Sequence, residues 1–130
     1  MIFSIAIYSS PQNAQASYSA YRFAEAALLQ GHKIHRIFFY HQAIHNASAF
    51  SVSAQDEINL TTLWQTLAKE NGFELNVCIA AAITRGLLDT QEANRYQKPS
   101  SNIAAQFELS GLGQFVEACA SSDRLVTFGY

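Results

Sequence analysis

Short apolar runs alternate with helix-like patterns along most of the chain. The first run, residues 2–8, is bounded by Ser9-Ser10-Pro11, which predicts a strand that leads into a loop. A second apolar run, residues 34–40, predicts the next strand. Between the two runs, apolar residues recur at helical spacing up to Gly31, a residue suited to ending a helix; they are Ala20, Phe23, Ala24, Ala27 and Leu28.

The middle of the chain combines a long polar segment with a clear helical stripe. Residues 40–56 carry little pattern, and a connection of this length is often functional. Asp56 is placed to cap the helix that follows, and Asn71-Gly72 is placed to end it. The apolar stripe of this helix consists of Leu60, Leu63, Trp64, Leu67 and Ala68.

A third strand is predicted over residues 73–77, with Cys78 at its carboxyl end. Residues 79–85 then favour a short helix that Gly86 would end. The cysteine therefore stands at a strand-to-helix junction.

The last third of the chain is less regular. Between residues 87 and 107 the pattern predicts no element that can be placed. Ser110 is placed to cap a last helix, and residues 124–128 predict a closing strand.

Strands that alternate with helices predict an α/β fold with three layers, α/β/α, around a mainly parallel sheet, as in flavodoxin-like layering. We expect one domain over residues 1–130, since no stretch separates a second module. Sites in open parallel sheets gather beyond the carboxyl ends of the strands. The loop at residues 9–17, the loop at residues 40–46 and Cys78 should therefore converge.

Composition excludes several function classes. The chain is 49% hydrophobic and 14% charged, with a net charge of -2 and scattered basic residues, so tight direct binding of nucleic acid is not expected. No apolar run approaches the roughly 20 residues that cross a bilayer, and the first residues lack a basic leader. We expect a cytoplasmic chain without a membrane segment, whose surplus of apolar residues indicates partner subunits.

The two cysteines, Cys78 and Cys119, are too few for a disulfide framework and fit a reducing compartment. Cys119 shares the spacing of Leu112, Phe115 and Val116, so we expect it to be a buried core residue of the last helix. Cys78 differs, because the free N–H groups at a helix N-terminus favour a thiolate. Position alone leaves a structural and a reactive Cys78 equally open.

Arg85 is the nearest candidate partner for the Cys78 thiolate. It lies seven residues further on, about 10 Å along a regular helix, so direct contact with the sulfur is not expected. We expect Arg85 instead to interact with the helix C-terminus or to pair with Asp89.

Other motifs carry no chemistry of their own. His32 and His35 should project to opposite faces, and His41 and His45 are expected to be solvated or to contact a partner, so no metal site is predicted. Gly111-Leu112-Gly113 lacks the third glycine and the preceding strand of a dinucleotide fingerprint, and no G-x-S-x-G elbow occurs. No cofactor is expected.

Several segments resemble the TusD family, the DsrE-like subunits of bacterial TusBCD sulfur-relay complexes, over essentially the whole chain. The specific segment is Cys78-Ile79-Ala80-Ala81-Ala82 with Arg85-Gly86. The others are Phe38-Phe39-Tyr40, Asn46-Ala47, Leu75-Asn76-Val77, Ser100-Ser101-Asn102 and Leu109-Ser110-Gly111-Leu112-Gly113. The loop Ser9-Ser10-Pro11-Gln12-Asn13 departs from the more glycine-containing loop of relatives.

This resemblance implies a sulfurtransferase that carries a persulfide on Cys78. Such a protein accepts sulfur from a TusA-like donor and passes it to a TusE-like acceptor, in support of 2-thiolation of the tRNA wobble uridine. It also implies assembly with TusB-like and TusC-like subunits as a dimer of heterotrimers. Two alternatives stay open: a DsrE subunit of a DsrEFH-type complex in dissimilatory sulfur oxidation, and a non-catalytic assembly subunit.

Overall fold

The computed structural model describes residues 1–129 and contains a five-stranded sheet. The strands are β1 (Ile2–Ile7), β2 (Lys33–Phe39), β3 (Glu74–Cys78), β4 (Phe107–Ser110) and β5 (Arg124–Phe128). The helices are α1 (Ala16–Leu29), α2 (Leu60–Asn71), α3 (Ile79–Thr84), α4 (Thr90–Arg95) and α5 (Leu112–Ser121), with a 3₁₀ helix at His41–Ala47.

The strand order is β4-β3-β2-β1-β5, and every strand pair in the sheet is parallel. In chain order, β2, β3 and β4 each lie beside the preceding strand, on the same side of β1. Strand β5 lies on the other side of β1, at the opposite edge of the sheet. Right-handed crossovers then require α1 and α2 on one face and α5 on the other. The predicted α/β/α fold is confirmed, with an all-parallel sheet.

Two consecutive phenylalanines of β2 mark the two faces. Phe39 packs edge-on against Trp64 of α2, with ring centroids 5.6 Å apart, and Phe38 packs against Phe115 of α5 at 5.3 Å. Trp64 is fully buried and also meets Tyr21 of α1. Burial of large aromatic side chains on both faces fixes the sheet between its helices.

A bulge interrupts the ladder between β1 and β2. Phe3 pairs with Ile34, but the next residue, Ser4, pairs with Arg36, so that His35 is an extra residue in β2. An extra residue sends two neighbouring side chains to the same side of the strand. His35 and Arg36 consequently both reach α5, where both contact Glu117.

Several predicted boundaries are confirmed, and two helix caps are not. Gly72 ends α2 with a φ of 71°, in the left-handed region where glycine is favoured. The cap of α2 is Asn59, whose side chain accepts a hydrogen bond from the Thr62 N–H, and not Asp56. Asn59 takes the N-cap position because it directly precedes the first helical turn.

Residues that the sequence patterns left without structure also form elements. The 3₁₀ helix occupies the segment predicted as a loop, and α4 lies within residues 87–107. Ser110 is the last residue of β4, and Gly111 takes the N-cap position of α5. None of the helices within residues 1–129 is both long and apolar enough to cross a membrane.

Candidate active site around Cys78

Cys78 is the last residue of β3 and the N-cap of α3, as the sequence predicts. Its side chain is only 3% exposed, yet it lines a cavity of about 330 Å³ at the carboxyl edge of the sheet. Tyr40, His41, Ala81, Arg85, Gly111 and Leu112 also line this cavity. The thiol is therefore screened from bulk solvent while it faces a space that can admit a small group.

Helix α3 has only six residues, so its dipole alone is a weak source of positive potential. A fixed charge comes from Arg85, which lines the same cavity. The backbone leaves the helix at Thr84, and the Arg85 side chain turns back so that its Nη1 donates to the Ala81 carbonyl at 3.1 Å. Arg85 therefore lines the cavity from the C-terminal end of α3.

The predicted contact of Arg85 with the C-terminus of α3 is confirmed by this bond to Ala81, and a second Nη1 contact reaches Thr84 Oγ1 at 3.3 Å. The alternative pairing with Asp89 is wrong. The Asp89 carboxylate instead accepts from the Glu92 N–H at 2.8 Å and caps α4. The Nε of Arg85 is buried, and no described residue accepts a hydrogen bond from it.

The 3₁₀ helix carries two histidines, of which His41 lines this cavity and His45 lines a separate pocket. His41 has a φ of 54°, an uncommon conformation for a residue with a side chain. His45 is half-buried, and burial, helped by the charge of Arg85, lowers its pKa below the usual 6.5. His45 is therefore neutral at neutral pH, and Arg85 supplies the lasting positive charge.

Asn46 holds the 3₁₀ helix in place and does not reach the cavity surface. It is fully buried, its Nδ2 donates to Ser17 Oγ at 3.1 Å, and its Oδ1 accepts from Trp64 Nε1 at 3.3 Å. These bonds tie the segment after β2 to α1 and α2. Asn46 thus anchors the 3₁₀ helix, which is a structural role for a residue of the predicted functional loop.

A chain of polar side chains, with the buried Arg36 and Asn76 at its centre, lies beside Cys78 on the α5 face of the sheet. Arg36, only 7% exposed, donates to Asn76 Oδ1, to Glu74 Oε2 at 2.7 Å and to Glu117 Oε1 at 3.0 Å. Asn76 Nδ2 in turn donates to Ser110 Oγ at 2.9 Å. The sequence patterns did not predict this chain. The signal for it was Arg36 in β2 and Asn76 in β3, two polar residues inside otherwise apolar strands.

Glu117 closes the chain on the α5 side. Its hydrogen bond with His35 is the largest cause of a lowered pKa of this carboxyl, with Ser121 and Arg36 acting in the same direction. The carboxylate form is therefore favoured opposite the buried Arg36 guanidinium.

A second, larger groove adjoins the cavity. It measures about 490 Å³ and shares Tyr40 and His41 with the cavity at Cys78, and its other walls include Tyr8, Ser10 and Asn13 of the loop after β1. The predicted convergence of the loops after β1 and β2 with Cys78 is therefore confirmed.

The prediction that Cys119 is a buried core residue is wrong, because its side chain is exposed. Helix α5 has apolar residues on two sides. Ala118 and the half-buried Phe115 face the sheet, whereas Leu112 and Val116 are 56% and 65% exposed on the outer side with Cys119. Helical spacing alone cannot tell which of two apolar stripes meets the core.

The histidines predicted to lie on opposite faces do so. His32 packs against Phe3 and contacts the Met1 amino group, whereas His35 reaches Glu117 across the sheet. Across residues 1–129 no three His, Cys, Asp or Glu side chains group as metal ligands would.

A strand does precede Gly111-Leu112-Gly113, contrary to the sequence-based expectation, because β4 ends at Ser110. Val116 still occupies the place of the third glycine in the dinucleotide motif.

Comparison with solved structures supports the fold. The ychN protein from E. coli superposes with a TM-score of 0.76 and covers 98% of this chain and 97% of its own, at 17% identity. At that identity the likeness concerns the fold alone.

Comparison of sequences identifies closer relatives. The sulfurtransferase TusD homolog of Pseudomonas aeruginosa is 51% identical over 99% of this chain and 98% of its own length. The putative sulfurtransferase DsrE of Allochromatium vinosum is 45% identical over 99% of both chains, and sulfurtransferase TusD of Serratia proteamaculans is 47% identical over 88% of both. These names support the predicted sulfurtransferase class. The model of the DsrE/DsrF-like family matches residues 1–128, and the chain belongs to this family.

Proposed function

We propose that this protein is a sulfur-relay sulfurtransferase that carries sulfur as a persulfide on Cys78. The observation that carries the proposal is the position of Cys78, a buried thiol that lines a cavity with Arg85 at the carboxyl edge of a parallel sheet. Sites of α/β proteins lie at this edge. The sulfurtransferase names of the relatives support the same class of reaction.

The proposed chemistry needs no cofactor. The Cys78 thiolate attacks the outer sulfur of a donor persulfide, a new S–S bond forms, and the donor's S–S bond breaks with its inner sulfur leaving as a thiolate. An acceptor thiolate then attacks the outer sulfur on Cys78, and Cys78 leaves as a thiolate. Neither step is a net oxidation, and Arg85 offsets the negative charge on sulfur in both.

Mass spectrometry of the intact chain after exposure to a small persulfide donor tests this role. Wild type should gain one sulfur, about 32 Da, that a reducing agent removes. Cys78→Ser should gain none, and Cys119→Ser, the matched control, should behave as wild type. Sulfur uptake by Cys78→Ser together with an unmodified Cys78 in wild type would refute the proposal.

The resemblance to the TusD family supplies the finer roles that we propose. The donor is TusA-like, the acceptor is TusE-like, and the relay serves 2-thiolation of the tRNA wobble uridine in the cytoplasm. The scattered basic residues and the net charge of -2 agree with a protein that docks other proteins and meets no tRNA directly. In vitro transfer of labelled sulfur from the donor to the acceptor, with and without this chain, tests the order.

Assembly with TusB-like and TusC-like subunits is part of the proposal. The exposed apolar stripe of α5, formed by Leu112, Val116 and Cys119, is a surface that such subunits can cover. Val116→Asp should abolish co-purification with these subunits, while Leu29→Asp, at an apolar residue that is 83% exposed on α1, should not. Equal recovery with both variants would place the interface elsewhere.

A role in dissimilatory sulfur oxidation, within a DsrEFH-type complex, is the second candidate. The observation that favours it is the 45% identity to the putative sulfurtransferase DsrE of Allochromatium vinosum. Both roles use the same thiol. Neighbouring genes for dissimilatory sulfite reductase would favour oxidation, and TusB-like and TusC-like genes without them would favour tRNA thiolation.

A non-catalytic assembly subunit is the remaining alternative. A Cys78 that small thiol reagents cannot reach in the assembled complex would support it. Titration of the complex with such a reagent, with Cys119→Ser as the background, distinguishes this case.

A further inference from the structure

The Arg85 guanidinium keeps its place in the wall of the Cys78 cavity without an ion pair. Its Nη1 donates to the Ala81 carbonyl at 3.1 Å and to Thr84 Oγ1 at 3.3 Å, and both acceptors belong to the short helix that precedes it. Among residues 1–129, no carboxylate lies within ion-pair distance of this guanidinium. Local, neutral acceptors move together with the backbone that carries them. The direction of the guanidinium therefore depends on the backbone where α3 ends.

A Schellman motif ends α3, with Arg85 at the C-cap position. Its two backbone hydrogen bonds run from the Leu87 N–H to the Ala82 carbonyl, at 2.9 Å, and from the Gly86 N–H to the Ile83 carbonyl, at 3.3 Å. Gly86 has a φ of 83°, the left-handed conformation that this motif requires. The backbone groups just beyond the motif have no partner within it and need partners from elsewhere.

Asn102, in the segment between α4 and β4, supplies those partners. Its Nδ2 donates to the Gly86 carbonyl at 2.9 Å, and its Oδ1 accepts from the Leu88 N–H at 2.8 Å. Its backbone N–H also donates to the Leu88 carbonyl at 2.9 Å, and its carbonyl accepts from the Ala49 N–H at 2.8 Å. A carbonyl can only accept and an N–H can only donate, so the amide must take this orientation. One side chain therefore clamps the residues that directly follow Arg85.

We propose that Asn102 is a positioning residue of the sulfur-transfer site, which holds the Arg85 guanidinium in the wall of the Cys78 cavity. The proposal rests on the proposed function, in which Arg85 offsets the negative charge on sulfur. Loss of the amide leaves the Gly86 carbonyl and the Leu88 N–H without their partners and frees the backbone there. A long side chain without an ion pair then spreads over several rotamers, and the mean positive charge near the sulfur falls.

The test compares the alkylation rates of two reagents of nearly equal size, iodoacetate and iodoacetamide, in a Cys119→Ser background so that a single thiol reacts. Both reagents attack the same Cys78 thiolate, so the ratio of their rates cancels the thiolate fraction and the access to the sulfur. What remains is the response of an anionic reagent to the charge in the cavity. Arg85→Gln should lower the iodoacetate-to-iodoacetamide ratio about fivefold, the order of effect that one charge has across a partly exposed cavity.

Asn102→Ala should lower the same ratio about threefold, because the guanidinium is displaced and not removed. In an Arg85→Gln background, Asn102→Ala should cause no further fall, since the charge that it positions is already gone. Asn71→Ala is the matched control. The Asn71 side chain donates to the Leu67 carbonyl at 2.9 Å at the end of α2, before the strand whose far end is Cys78, so its loss should leave the ratio as in wild type.

An unchanged ratio in Asn102→Ala or in Arg85→Gln overturns the inference, and so does an Asn102→Ala effect of equal size with and without Arg85. A merely structural role of Asn102 predicts an unchanged ratio, because a loosened cavity alters both rates alike. If Asn102→Ala does not fold, Asn102→Ser, whose one oxygen replaces the two polar atoms of the amide, is measured in its place with the same outcomes.

Sulfur uptake by mass is measured separately. A wild type that takes up no sulfur overturns the proposed function, whereas an unchanged ratio in a chain that takes up sulfur overturns only the role of Asn102.

Discussion

The two cysteines of this chain lie in opposite surroundings. Cys78 is 3% exposed at the end of a central strand, beside a cavity, a cation and a buried polar chain. Cys119 is exposed on the outer side of α5 among apolar side chains. The exposed thiol of Cys119 has no cavity or cation beside it that would stabilise an anion, whereas the buried thiol of Cys78 has both. Access alone is therefore a poor guide to which thiol carries chemistry.

Reagent size gives the largest expected difference between the two thiols. A bulky polyethylene glycol maleimide should modify Cys119 in the native chain and Cys78 only after unfolding, because the reagent is too large for the 330 Å³ cavity. Methyl methanethiosulfonate, a small reagent, should modify both. Gel shifts of the Cys78→Ser and Cys119→Ser variants check this, and equal native labelling by the bulky reagent would contradict the described burial.

Stability should depend on the surroundings of Cys78 and hardly on those of Cys119. Asn76→Ala leaves the 7%-exposed Arg36 short of an acceptor and should lower the free energy of unfolding by about 2–4 kcal/mol. Cys119→Ser, at an exposed position, should stay within about 0.5 kcal/mol. Urea unfolding measures both, and a similar loss in the two variants would remove the contrast.

Sulfur uptake should depend on the cation of the cavity. Arg85→Gln should slow uptake by Cys78 about tenfold, since a single charge across a partly exposed cavity is worth roughly 1.4 kcal/mol. Arg85→Lys, which keeps the charge, should lose less. Arg22→Gln, at an exposed arginine paired with Glu25, is the control and should match wild type in single-turnover kinetics. An unchanged rate in Arg85→Gln would assign Arg85 to structure alone.

The smallest expected effect is the loss of two small contributions to the free energy of unfolding as the pH falls. The pKa of His45 is lowered by burial, so its contribution is full above pH 6.5 and is lost as the pH falls below that value. The pKa of Glu117 is lowered by its bond with His35, so its contribution is full above pH 4.5 and is lost at lower pH. His45→Gln should remove the upper step and Glu117→Gln the lower one in thermal unfolding. Curves parallel to wild type throughout would contradict both assignments.

The sequence predicted the position of Cys78 because strand ends are local features. An apolar run bounded by a helix pattern places the residue between them, and parallel topology places that end beside the loops after β1 and β2. The neighbours of Cys78 were harder to predict. Ser110 lies beside Cys78, and Arg36 beside Asn76, through the register of paired strands, which no single segment of sequence contains.

Which side of α5 faces the sheet could not be predicted from the residues of the helix alone. A helix with apolar residues on two sides is compatible with two orientations, and the ion pair of Glu117 with Arg36 belongs to the one that leaves Cys119 outside. Arg85 shows the same limit on a smaller scale. Its distance from Cys78 depends on where α3 ends and on the rotamer that follows.

The bulge at His35 has a consequence for comparing this strand between proteins. Ile34 and Arg36 pair with consecutive residues of β1, so their side chains point to opposite faces of the sheet. A chain that lacked residue 35 would therefore keep every other β2 side chain on its present face. It would lose only the contact of His35 with Glu117. Position 35 is thus where this strand can shorten by one residue without a shift of register, and an alignment gap in β2 belongs there.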